Sequence, residues 1–123
     1  ALQAGVGNEC RVDAYTDLVG FMDFWPAAVG EHAPDLVARV GGHADIAETA
    51  EMMVIRPDLV REERAEAGHV QVFDDALMHR VFSEGFRAVT PNGILGDSRG
   101  ATSAIGESCI AHAADGIVAA LEA

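Results

Sequence analysis

The sequence predicts an α/β domain in which helices sandwich a small sheet. Three observations carry this. A β-type stretch lies near the start, a series of helical segments follows, and the chain closes on a long helix of regular apolar spacing. One or two strands make no stable sheet alone, so the domain is expected to draw strands from elsewhere.

The elements follow in order. Residues 11–18 alternate partly and carry Val12, Tyr15 and Thr16, which predicts a strand. Tyr15, Phe21, Phe24 and Trp25 then crowd eleven positions, a cluster that reads as core packing. Pro26 suits the first position of a short helix, and residues 32–40 read as a connection. Gly41-Gly42 is a pair able to take positive φ. Residues 45–55 predict a helix, because Ile46, Ala47, Ala50, Met53 and Val54 make one stripe; Pro57 ends it.

Residues 61–66 are a solvated charged stretch, and residues 70–73 are ambiguous between strand and loop. Residues 75–86 fit a helix whose apolar face is loose. Thr90-Pro91-Asn92-Gly93 predicts a turn. The last helix, capped by Asp97 or Ser98, keeps helical spacing from Ala101 to Leu121. Its small residues (Gly106, Ser108, Ala111, Ala114, Gly116) suit close packing against a sheet.

Composition narrows the function. With 123 residues, 50% hydrophobic and 23% charged, the chain has the make-up of one globular domain. Its formal charge of −12 repels phosphate backbones and anionic lipid, so neither nucleic acid nor a membrane surface is an expected partner. No apolar run of the ~18–20 residues that span a bilayer stands out, and no signal peptide is visible. Cys10 and Cys109 form no C-x-x-C pair, which fits reduced thiols and a cytoplasmic location. The opening Ala1-Leu2-Gln3-Ala4-Gly5 reads like the tail of a helix begun earlier, so a removed leader, a processed chain or a fragment is expected.

The candidate chemistry centres on Gly41-Gly42-His43-Ala44-Asp45-Ile46-Ala47-Glu48-Thr49. Asp45 is placed to cap the helix, and Glu48 lies in its first turn, where unpaired N–H groups favour carboxylates. Two readings stay open. Asp45-x-x-Glu48 is an acidic capping box, which would make both residues structural and His43 a turn residue. Alternatively, His43 delivers a proton to a leaving amine, since histidine titrates near ~6.5, and Glu48 helps bind a metal that activates water. A catalytic zinc takes about three protein ligands, and His32, His69, His79 and His112 make no H-E-x-x-H pattern. A metal centre here would take most ligands from outside this chain.

The stretch Gly42-His43-Ala44-Asp45-Ile46-Ala47-Glu48-Thr49-Ala50, followed by Met52-Met53-Val54-Ile55-Arg56-Pro57-Asp58-Leu59-Val60, resembles the creatininase (creatinine amidohydrolase) family. The pattern there runs G-H-A-G-x-x-E-T-S and then M-x-L-x-x-x-P-x-L-V. A second block, Pro91-Asn92-Gly93-Ile94-Leu95-Gly96-Asp97 followed by Ala101-Thr102 and the long helix, resembles the family's late T-x-x-G-V-x-G-D segment. Together the blocks cover most of residues 40–122.

The resemblance implies a three-layer α/β/α sandwich, a site of two divalent ions (zinc, manganese or iron), and hydrolysis of a C–N bond in a small, often cyclic, amide. By the same carry-over, His43 acts near the leaving nitrogen and Glu48 lies beside the metal centre. Asp45, where the family usually has Gly, and Arg39, where creatininase carries a substrate-stacking Trp, become candidate substrate-binding residues. The Arg39 departure tells against creatinine itself. The family's early E-x-H…D and N-G-H-x-x-N segments are absent, so residues 1–123 are expected to form the C-terminal part of the domain. An N-terminal half or second chain would complete it, within a homo- or hetero-oligomer. The alternative is a non-catalytic partner subunit that shapes the pocket and the oligomer interface.

Overall fold

The computed structural model describes residues 12–70 and 74–122. The opening Ala1–Gly5, Cys10, Arg11 and most of the ambiguous stretch at 70–73 lie outside the described residues. The described residues form five α-helices, two short strands and three 3₁₀ turns: α1 Leu18–His32, β1 Val40–His43, α2 Ile46–Ile55, α3 Asp75–Glu84, α4 Phe86–Val89, β2 Leu95–Gly96 and α5 Ser103–Glu122, with the 3₁₀ turns at Pro34–Arg39, Pro57–Leu59 and Glu62–Arg64. The chain is therefore mostly helical with a small sheet, consistent with an α/β fold.

The expected strand at residues 11–18 is a helix entrance instead. Residues 12–17 are irregular, and Asp17 caps α1 by accepting the Gly20 N–H at 2.9 Å. The aromatic cluster belongs to this helix. Phe21 packs edge-on to Phe24 and Trp25 at centroid distances of 5.8 and 5.6 Å. Pro26 lies inside α1 rather than opening a helix. The partial alternation of Val12, Tyr15 and Thr16 is too short to define a strand, and the sheet formed by the described residues joins β1 with β2 alone.

The core joins α1, α2 and α5: Trp25, Ala28, Val29, Ile46, Ala47, Ala50, Ile105 and Cys109 form one buried cluster. Of the small residues of α5, Gly106 and Gly116 serve helix packing rather than sheet packing, whereas Ala111 and Ala114 are exposed. A Cβ on Gly106 would fall 2.5 Å from the Ala50 carbonyl carbon of α2 and closer still to its oxygen. A Cβ on Gly116 would meet the Phe24 ring of α1. The cap of α5 is Thr102, whose Oγ1 accepts the Ile105 N–H at 3.3 Å. Asp97 and Ser98 are engaged elsewhere. At 20 residues, α5 is long and apolar enough to cross a bilayer by length and composition, contrary to the expectation that no such stretch is present, because its apolar residues are interspersed with small and polar ones. Ile105, Gly106 and Cys109 are buried against the other helices.

The sheet pairs β1 with β2 antiparallel, with an irregularity between Val40↔Gly96 and His43↔Leu95. The other edge of β2 meets residues 67–69 through the Gly68 N–H to Gly96 carbonyl and His69 N–H to Ile94 carbonyl bonds, both 2.9 Å. The glycine pair has two separate causes. Gly42 holds φ +92°, whereas Gly41 is needed for space, because a Cβ there would lie 2.5 Å from the β2 backbone. The helix expected over 75–86 is α3, which stops at Glu84 before Gly85 at φ +85°, and Phe86 opens the separate α4.

Candidate functional site

The end of β1, a two-residue turn and the first turn of α2 place His43, Asp45 and Glu48 together. Ala44 holds φ +52° in that turn, the one non-glycine residue with positive φ among those described. A side chain in the left-handed region costs on the order of 1 kcal/mol and persists where neighbours enforce it. Two carboxylates do so here.

Asp45 is fully buried. Its Oδ1 accepts the Ala47 and Glu48 N–H groups of α2 at 2.9 and 3.1 Å. Its Oδ2 accepts the Gly41 and Gly42 N–H groups at 2.7 and 2.9 Å. One carboxylate thus caps the helix and clamps the strand end before His43. Glu48 reaches back as in a capping box but takes the Ala44 N–H at 2.6 Å, one residue ahead of the cap.

The same Glu48 Oε2 lies 3.6 Å from His43 Nδ1, and the two side chains are 34% and 50% exposed. This carboxylate can orient the imidazole and leave Nε2 for a ligand. On the other side, His43 rests against Phe86 of α4 at a centroid distance of 5.0 Å. Sequence spacing gave no sign of that contact, since Phe86 lies 43 positions away in a short helix after a glycine. Beyond Glu48 opens a cavity of about 590 Å³, walled by Ala44, Thr49, Met52 and Met53 of the α2 region and by residues from 59–65 and 94–101.

Arg39 does not join this pair. Its Nη1 donates to the Arg99 carbonyl at 2.8 Å, and its Nε lies 3.8 Å from Asp97. Asp97 is nearly buried and also takes Arg99 Nη2 at 2.7 Å. The Arg99 guanidinium, ahead of the backbone and Arg39 contributions, holds the Asp97 carboxyl below its usual value. Arg39 therefore anchors the loop that walls the cavity.

Among the described residues, no group of three or more His, Cys, Asp or Glu converges as a metal cage. His43 and Glu48 offer two donors, fewer than the about three a catalytic zinc takes. Cys109 contributes none: burial pushes its thiol up to about 12, and it lies in the helical core.

A family model described as creatininase, creatinine amidohydrolase, matches residues 4–121. The chain belongs to the creatininase family, and this membership suggests an amidohydrolase-like function. No curated protein and no solved structure gives a match.

Proposed function

We propose that this chain is part of a metal-dependent amidohydrolase that cleaves a C–N bond of a small amide, linear or cyclic. The observation that carries it is Glu48, which lines a small-molecule-sized cavity and lies 3.6 Å from His43, in a chain of this family. His43 hands a proton to the departing nitrogen, and Glu48 keeps the ring turned toward it. Asp45 and Arg39 act on the substrate at one remove, through the strand end and the cavity wall, because their polar atoms are already engaged.

The two divalent ions (zinc, manganese or iron) that the family implies do not fit the described residues alone, so their remaining ligands belong to an N-terminal half or second chain. In this proposal residues 1–123 form the C-terminal half of a three-layer sandwich, assembled as an oligomer in the cytoplasm. Replacing His43 by Ala is expected to cut turnover of a small-amide panel by about 10²–10⁴-fold while leaving metal content unchanged. Mass spectrometry of the assembled, active unit should find about two divalent ions, with activity lost to a chelator and regained on metal addition. Near-normal turnover in His43→Ala ends the assigned role.

A second reading has its own support. Asp45 and Glu48 both serve as helix caps, and the described residues hold no metal cluster, as in a subunit that only shapes another chain's pocket. Absence of metal and of chelator-sensitive activity in the assembled unit would favour it.

A further inference from the structure

We infer that the cavity beyond Glu48 selects amides that carry an anionic oxyanion group on an apolar body; this rests on the amidohydrolase reading and adds a substrate class to it. All eight basic side chains of this chain are arginines, in a molecule of formal charge −12. Three of them, Arg61, Arg64 and Arg99, line this one cavity. Arg61 caps and Arg64 ends a 3₁₀ turn at Glu62–Arg64, closed by the Arg64 N–H to Arg61 carbonyl bond at 2.9 Å. The turn keeps the two arginines three positions apart on the wall of the same cavity.

Their charges are also unspent. Among the described residues Arg39, Arg56, Arg80 and Arg99 each pair with a carboxylate, whereas Arg61 and Arg64 have no such partner. The cavity also holds two carboxylates, Glu48 and Glu62. Glu48 is occupied by Ala44 and His43, and in the Glu62–Arg64 turn the two guanidiniums outnumber the Glu62 carboxylate, which makes that turn the site for a negative group. Met52, Met53 and Ile94 also line the cavity and offer apolar surface to the body of the ligand. A molecule in this cavity puts its anion on the arginines and its amide beside Glu48, which His43 neighbours at 3.6 Å. Guanidiniums match carboxylate and phosphate oxygens with paired N–H groups, so the shared chemistry is an oxyanion.

The test is a binding titration of the full chain by ligand-observed NMR, with N-formyl-L-methionine and the uncharged N-formyl-L-methioninamide. The acid is expected to bind about tenfold tighter, with a preference that shrinks as salt rises. Arg61→Gln/Arg64→Gln should erase the preference, and Arg61→Lys/Arg64→Lys should restore part of it; both sites are exposed, and circular dichroism checks the fold. Competition by inorganic phosphate at lower concentration than acetate would assign the anion as phosphoryl, and the reverse order as carboxylate. Equal binding of acid and amide, a preference that survives Arg61→Gln/Arg64→Gln, or no binding of either overturns the inference. The readout needs no turnover. A His43→Ala chain that keeps the preference while the wild type proves inactive removes the catalytic reading and leaves this one standing.

Discussion

Asp45 concentrates more consequence than any other side chain near the site. Four backbone N–H groups share its two oxygens, two on the helix side and two on the strand side. Asn can accept on one side only, and its amide N–H₂ would face two donors on the other. Ala leaves all four unpaired. Loss of a cap costs ~0.5–2 kcal/mol, and each buried donor stranded costs more, so Asp45→Ala should lose about 3 kcal/mol and Asp45→Asn nearly as much. Urea denaturation measures both. A loss near zero for Asn would mean that the strand-side bonds carry nothing. The cap and the Glu48 placement were legible in the sequence, because Asp-x-x-Glu before an apolar stripe is a local signal. The Asp45 bonds to Gly41 and Gly42, and the Phe86 contact to His43, were not legible, since each depends on a turn angle or on packing across the fold.

Helix packing turns on where glycines lie in α5. At Gly106 the obstacle is the Ala50 backbone of α2, which cannot rotate away. At Gly116 it is the Phe24 ring of α1, a side chain that can turn. Gly106→Ala should therefore cost about 1–3 kcal/mol by forcing α5 off α2, and Gly116→Ala clearly less, despite the helix propensity gained at both positions. Thermal melts of the two variants test the order, and a reversal would show that the α2–α5 crossing is looser than its geometry. The existence of α2 and α5 was readable from apolar period. The true start of α5 was not: Asp97 and Ser98 are drawn into loop contacts with Arg99 and residue 66, so the cap falls to Thr102. The strand expected at residues 11–18 was misread because a few alternating residues carry no information about a strand partner, whereas the aromatic residues after it were rightly read as core.

Acid response belongs to the whole molecule. Hydrogen bonds from Ser108 and then His112 hold the Glu31 carboxyl below its usual value and tie the end of α1 to α5. Asp97 is lowered by Arg99 and Arg39. Groups lowered in the folded state lend stability above the ordinary carboxylate range and lose it as pH falls through their folded values, so unfolding should set in below about pH 4. Glu51 has the opposite sign. Burial raises its pKa, partly offset by the Trp25 Nε1–H donated at 2.9 Å. Its ionisation thus costs stability as pH rises through the raised value. Glu51→Gln keeps an acceptor for Trp25 and should raise the melting temperature near neutrality, with the gain fading in acid. Emission from Trp25, the single tryptophan, follows the same transition. A variant less stable at every pH would contradict the assigned cause.

By itself the sequence determined what short-range physics can write: the helix at Asp45, the turn at Pro91–Asn92, the solvated charged stretch, the acidic surface, and the motif blocks that resemble creatininase. Tertiary structure decided which face met which. It set Phe86 on His43, turned Arg39 toward Asp97, and brought Arg61 and Arg64 from a stretch read as plain solvent surface to the wall of a cavity. Capping and periodicity act within a few residues along the chain, whereas a cavity is a property of elements that meet only after the core of α1, α2 and α5 has closed.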